Sequence, residues 1–134
     1  MAFNETRVTV VGRVCSDVST RTTSDGTTVA NFSVATNERK YDRETDSWQD
    51  RDTLFLRVTC WRRLAEGVAA SLNKGDPVVV AGRLIAKRVE PDGQVKTTEM
   101  EASSVGPDLT MCTAVVRRFR RRDAVEGGDA AEAA

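Results

Sequence analysis

Two aromatic residues alternate with polar ones in the segment that ends at Trp61. One set of alternate positions carries both rings and a cation: Phe55, Arg57, Thr59 and Trp61. The intervening set is apolar: Leu54, Leu56, Val58 and Cys60. A period of two is typical of a β-strand, which places the sets on opposite faces. Exposed rings can stack on any nucleic-acid base, for about 1–3 kcal/mol each, and a nearby cation neutralises phosphate.

The apolar set already supplies a core face, which leaves the aromatic face for binding. The alternative interpretation, in which Phe55 and Trp61 pack under a helix or in a subunit interface, stays open.

A second basic and aromatic group lies in the polar stretch 38–52. It comprises Arg39, Lys40, Tyr41 and Arg43, with Trp48 nearby. We interpret this stretch as a long, partly ordered hairpin loop. It either binds nucleic acid or is a solvated loop in which Trp48 is a packing anchor. Lys87 and Arg88, near a later hairpin tip, either guide phosphates or are ordinary edge-strand charges.

Catalysis and metal binding have little support in the composition. The chain has no histidine, which excludes Ser-His-Asp and Cys-His arrangements. No glycine-rich phosphate loop occurs. The three cysteines, Cys15, Cys60 and Cys112, form no CxxC pair, so we expect free thiols and no zinc site. The sequence therefore predicts a protein that is not an enzyme and has no cofactor or metal.

The net charge of zero hides an asymmetry along the chain. The last four acidic residues follow the final arginine, Arg122, so residues 1–122 carry 20 basic against 16 acidic residues. That balance permits a polyanionic partner. The run Arg117–Arg122 either binds a polyanion or is a solubilising tail. We expect one domain over residues 1–111 and a basic, then acidic, disordered tail over residues 112–134.

Hydrophobic periodicity and turn signals indicate mostly strands. We predict strands over 6–14, 28–37, 53–61, 78–89 and 94–102, a helix over 62–73, a turn at 91–93, and a closing segment over 105–109. Gly12 would mark a bend where a sheet curls into a barrel. Three strands, a short helix and a long hairpin match an all-β, five-stranded barrel whose helix lies between strands three and four.

The sequence resembles the bacterial single-stranded DNA-binding proteins, an OB-fold family, over residues 5–109. The segments that carry the resemblance are Val10–Val14, Asp25–Gly26 with Val29–Thr36, Arg57–Trp61, Leu64–Glu66 with Leu72–Asp76, and Val78–Leu84. The resemblance implies an OB-fold homo-oligomer, usually a tetramer, that coats single-stranded DNA in replication, recombination and repair.

Residue by residue, the resemblance assigns two stacking aromatics to Phe55 and Trp61. The family's other two stacking positions fall on Lys40, beside Tyr41, and on Val89, which cannot stack. The matching cationic positions are Arg7, Arg21, Arg43, Arg63, Lys74, Lys87 and Arg88. We expect DNA binding that is weaker or less tightly wrapped than in a typical member.

The end of the chain departs from the family pattern of a long linker and an acidic tip ending in phenylalanine. Here the last residues are Asp129–Ala134, which are acidic but contain no phenylalanine. This difference indicates a secondary, paralogous member and argues against recruitment of repair proteins through the tip.

Targeting signals are not apparent. No apolar run approaches the roughly 20 residues of a membrane helix, and residues 1–7 lack signal-peptide features. We expect a cytoplasmic, nucleoid-associated protein. Two further functional hypotheses remain: an OB-fold protein-interaction module of a primosome or recombination complex, and a single-stranded RNA binder, because stacking tolerates either sugar.

Overall fold

Strands make up most of the computed structural model, which describes residues 3–89 and 93–119. The elements in chain order are β1 Arg7–Val14, β2 Ser19–Thr22, β3 Thr28–Asp42, β4 Ser47–Trp61, α1 Arg62–Ser71, β5 Pro77–Val89 and β6 Gln94–Pro107. The predicted helix over 62–73 is present with a slightly earlier end, and Leu72 caps it through an N–H bond to the Val68 carbonyl.

The strand pairings close into a ring. β1 pairs with β5, β5 with β6, and β4 with β3, all antiparallel. β6 runs parallel to β4 at residues 57–59, and β1 meets β3 at Arg13–Ala35 and Val14–Val34. Five strands therefore form the barrel predicted from the sequence. The short β2 is additional and lies along β3; its four residues are all exposed, so it carries no apolar signal.

The core fills the inside of this ring. The inward residues of β3 and β4 are fully buried, α1 adds Ala65 and Val68, and its cap residue Leu72 packs with them. On β4 the apolar set is buried from Leu56 through Cys60, as predicted.

Gly12 lies where β1 leaves β5 and approaches β3. A β-carbon built on Gly12 would overlap the carbonyl oxygen of Ala35. Only glycine allows this close backbone approach, so Gly12 marks the point at which the barrel closes, as the sequence predicts.

Two predictions are wrong in the same region. The stretch 38–52 is not a long loop, because β3 continues to Asp42 and β4 begins at Ser47, with Tyr41 opposite Trp48. Leu54 is 51% exposed and lies outside the core. Leu54 is exposed because the β3–β4 hairpin projects past the pairing with β6 at residues 57–59, so no second layer covers it. The stretch 38–52 is ordered by pairing between its two charged strands.

No helix in the described ranges is both long enough and apolar enough to cross a membrane.

Candidate nucleic-acid interface

The outer face of β4 carries two exposed rings. Phe55 is 59% exposed and Trp61 is 36% exposed. Both project away from the core on the same side as Arg57, because the residues between them point inward. Six residues of strand separate the rings by about 20 Å. The two aromatic residues predicted to stack therefore lie at opposite ends of one outer face.

Each ring has an arginine two strands away. Arg13 on β1 pairs with Ala35, which pairs with Phe55. At the other end, Arg21 on β2 pairs with Val29, which pairs with Trp61. Residues paired in this way share a face, and two strand spacings amount to about 10 Å.

Arg13 is a site residue that sequence reasoning missed, since its proximity to Phe55 depends on barrel closure. One of its guanidinium nitrogens donates to the Gly75 carbonyl at 2.9 Å. That bond uses one of five donors, so the guanidinium retains capacity for phosphate.

Polar residues fill the strip between the rings. Asn31 Nδ2 donates to Thr59 Oγ1 at 2.9 Å, and Asn31 is buried. Arg57 is exposed and has no ion pair with any residue in the described ranges. The strip therefore offers a free guanidinium between two stacking surfaces.

Lys87 reaches the same strip from β5. Its Nζ lies 3.1 Å from Glu99 Oε2, and Glu99 pairs with Arg57 across β4 and β6. An exposed ion pair contributes only about 0–1 kcal/mol, so Lys87 can exchange the carboxylate for a phosphate. The side chain of Arg88 lies outside the described residues.

The remaining predicted cations are dispersed. Arg7 contacts Glu5 at 3.3 Å and donates to Ser103 at 2.9 Å. Lys40 and Arg43 are exposed on the β3–β4 hairpin, and Lys74 is exposed in the loop after α1, beside the Gly75 that accepts from Arg13. The structure thus places Phe55, Arg57 and Trp61 on one strip with Lys87 at its side, whereas Arg7, Lys40, Arg43 and Lys74 lie on other parts of the surface.

A groove of about 670 Å³ opens beside Trp61. Three arginines line it, Arg7, Arg62 and Arg83, and so do three carboxylates, Glu5, Asp25 and Glu101. The pKa of Asp25 is lowered, chiefly by the hydrogen bond from the Thr23 hydroxyl and then by bonds from Thr27. Because the charges balance, this groove is a weaker phosphate site than the strip containing Arg57.

An aromatic pair occupies the tip of the β3–β4 hairpin. The Tyr41 and Trp48 rings meet edge to face, with centroids 5.5 Å apart and planes at 69°. The Arg39 guanidinium lies 6.0 Å from the centroid of the Trp48 ring.

The C-terminal segment contacts the helix through Phe119. Its Cζ atom lies 3.6 Å from the position a β-carbon would take on Gly67, and the Arg63 guanidinium lies 5.3 Å from the ring centroid. The sequence carries no signal for this contact, which engages the predicted site residue Arg63. Residues 120–134, with most of the basic run and the acidic end, lie outside the described residues.

The three cysteines are free thiols. Burial raises the pKa of the Cys60 thiol to about 12, so this group is a core residue and does not contribute charge to the face. In the part of the chain that the structure describes, no cluster of three or more histidine, cysteine or acidic side chains is arranged to hold a metal ion.

Comparison with known proteins identifies relatives for nearly the whole barrel. Residues 5–108 match the model of the single-strand binding protein family. A single-stranded DNA-binding protein from Paenarthrobacter aurescens is 43% identical over 121 residues, 89% of this chain and 71% of that protein. One from Corynebacterium glutamicum is 44% identical over 123 residues, 90% of this chain and 55% of that protein.

Two solved structures share the fold. The small single-stranded DNA-binding protein from Streptomyces coelicolor has a TM-score of 0.74 at 35% identity, over 84% of this chain and all of that one. The second single-stranded DNA-binding protein of Mycobacterium smegmatis has a TM-score of 0.67 at 38% identity, over 85% of this chain and 99% of that one.

Proposed function

The chain belongs to the single-strand binding protein family, and on that premise we propose that it binds single-stranded DNA, without sequence preference, on the outer face of β4. The observation that carries this proposal is the placement of Phe55 and Trp61 at the two ends of one strand face, with Arg57 between them. Such a face supplies both terms of sequence-independent binding, which are base stacking and phosphate neutralisation.

The geometry supports a specific division of roles. Bases stack on the exposed faces of Phe55 and Trp61, whose cross-strand neighbours Ala35 and Val29 are too short to cover the rings. Phosphates pass Arg57, with Arg13 and Arg21 beside the two rings. None of these contacts reads a base edge, so binding by stacking and phosphate contacts should show little preference among DNA sequences.

The biological role follows from the family. Proteins of this kind bind single-stranded DNA in replication, recombination and repair. We propose that this one is not an enzyme, that it works as a homo-oligomer, most simply a tetramer, and that it acts at the nucleoid in the cytoplasm. The likeness to the small protein from Streptomyces coelicolor and to the second protein of Mycobacterium smegmatis supports the proposal that it is a paralogous member.

Binding weaker than that of a typical member is also part of the proposal. Lys40 and Val89 stand where the resemblance places two further stacking aromatics. Salt titrations beside a typical member should show lower affinity, and equal affinity at every salt concentration would refute this point.

The test is fluorescence anisotropy with labelled strands of one length. We expect saturable binding to oligo(dT), much weaker binding to duplex DNA, and an affinity for oligo(dT) that falls steeply with salt. A preference for oligo(U) over oligo(dT) would instead support an RNA-binding protein. Absence of binding to every strand at micromolar protein and low salt would support a protein-interaction module.

A further inference from the structure

We propose that Trp48 is an additional base-stacking surface, located at the tip of the β3–β4 hairpin and held in position by Tyr41 and Arg39. This inference rests on the proposed binding of single-stranded DNA and extends it beyond Phe55 and Trp61, along the hairpin on which Trp48 pairs with Tyr41.

The first support is that the Trp48 ring is exposed and that no neighbouring side chain described in the structure is large enough to cover it. Trp48 is 60% exposed, a larger fraction than Trp61. The hairpin projects beyond the barrel, and the aromatic neighbour that Trp48 contacts is Tyr41, at 5.5 Å between centroids. A fixed but largely uncovered indole ring has the property that a base requires of a stacking surface.

The second support is the orientation of the pair. The two rings meet edge to face at 69°, so Tyr41 occupies little of the Trp48 surface. Tyr41 is the less exposed of the two, at 39%. Tyr41 is therefore the support that fixes the ring, and Trp48 is the surface that a base meets.

The third support is the charge around the ring. The Arg39 guanidinium lies 6.0 Å from the indole centroid, within the range of a cation–π contact. Lys40 and Arg43 are exposed on the same hairpin, and neither has an ion pair with a residue whose side chain the structure describes. Residues 38–52 as a whole carry six acidic against four basic residues, so the cation placed against the ring, Arg39, supports base stacking here and the net charge of the hairpin does not.

Two single-tryptophan variants test the proposal, because the chain has only two tryptophans. In Trp61→Phe, Trp48 is the sole tryptophan, and titration with oligo(dT) should quench its emission saturably over the concentration range in which anisotropy reports binding. Trp48→Phe, which leaves Trp61 as the reporter, shows independently whether DNA occupies the β4 face.

Affinity measurements complete the design. Trp48→Ala should weaken oligo(dT) binding about 5- to 150-fold, the effect of losing one base stack, whereas Trp48→Phe should retain most of the affinity. Gln49→Ala is the matched control, since Gln49 is exposed and adjacent to Trp48 on the hairpin, and its affinity should be unchanged.

The outcomes separate this inference from the proposed function. If Trp61 emission is quenched while Trp48 emission does not change, the DNA-binding function holds and this inference is overturned. A Trp48 emission that changes with protein concentration alone, and not with DNA, overturns it in favour of contact between copies of the chain. If no variant and no wild-type protein binds oligo(dT), the proposed function itself fails.

Discussion

Asn31 donates a hydrogen bond from Nδ2 to the hydroxyl oxygen of Thr59, 2.9 Å away across strands β3 and β4. The two residues are directly paired and lie on the outer face of the sheet, between the positions of Arg57 and Trp61. Asn31 is nonetheless buried. The middle of the proposed DNA-binding face is therefore held by a satisfied polar pair, which fixes the strand that carries both rings.

Replacing Thr59 with valine should lower the free energy of unfolding by about 1–3 kcal/mol, because the buried Asn31 amide loses its nearer acceptor and is left with the Val58 carbonyl at 3.5 Å. Urea denaturation measures the change. Thr53→Val is the matched control, since Thr53 donates to Asn37 at 2.9 Å across the same two strands but both residues are exposed. We expect a change within about 0.5 kcal/mol there, and equal costs at the two sites would contradict the argument.

Phe55→Ala should weaken binding of oligo(dT) by about 1–3 kcal/mol through loss of one base stack. Leu54→Ala provides the comparison, because Leu54 is the next residue, is similarly exposed at 51%, and points to the opposite side of β4. Anisotropy titrations at one salt concentration should show unchanged affinity for Leu54→Ala. Equal losses in the two variants would mean that the outer face of β4 is not the binding surface.

The buried thiol of Cys60 should make the protein less stable in alkali. The pKa of the unfolded thiol is near 9.0 and that of the folded thiol is about 12. Below pH 9 the thiol is protonated in both states, and the free energy of unfolding does not depend on it. Between pH 9 and pH 12 the unfolded state releases a proton that the native state keeps, so the free energy of unfolding falls as the pH rises. The loss is about 1.4 kcal/mol per pH unit.

Urea denaturation of the wild type and of Cys60→Ala from pH 8 to pH 11 isolates this effect. The variant should start less stable, because it leaves a cavity, yet lose less stability as the pH rises. Parallel pH profiles for the two proteins would show that Cys60 titrates normally in the folded state.

Gly12→Ala should cost about 1–3 kcal/mol of stability, because the added carbon meets the Ala35 carbonyl and the barrel must shift to admit it. Gly106→Ala is the control, since no atom lies within 4 Å of its added carbon. Thermal or urea denaturation should show Gly106→Ala within about 0.5 kcal/mol of the wild type. A neutral Gly12→Ala would place barrel closure elsewhere.

The predictable part of this fold is the part with strong periodicity. Alternation along β4 correctly placed Leu56, Val58 and Cys60 inside and Phe55 and Trp61 outside. The same alternation failed at Leu54, because a pattern of residues does not show where the surrounding barrel ends. The extension of β3 to Asp42 and of β4 back to Ser47 was missed for a related reason. These parts of the strands are charged and show no apolar alternation, so only their pairing with each other identifies them as strands.

The site was predictable to a similar extent. Residues on one strand could be assigned to one face, whereas Arg13 is placed on the same face as Phe55 only by the pairings of three strands. The contact of Phe119 with Gly67 and Arg63 joins segments about 50 residues apart with no local pattern. Long-range contacts of this kind depend on closure of the barrel, which single-sequence periodicity does not describe.

The most direct test of the central claim is the fluorescence of Trp61 in the Trp48→Phe protein, titrated with oligo(dT) at low and at high salt. The account predicts saturable quenching that weakens as salt rises, because a base covers the indole and the protein's arginines displace counterions from the DNA phosphates. Unchanged Trp61 emission at micromolar protein and low salt would contradict the claim that single-stranded DNA lies on the outer face of β4.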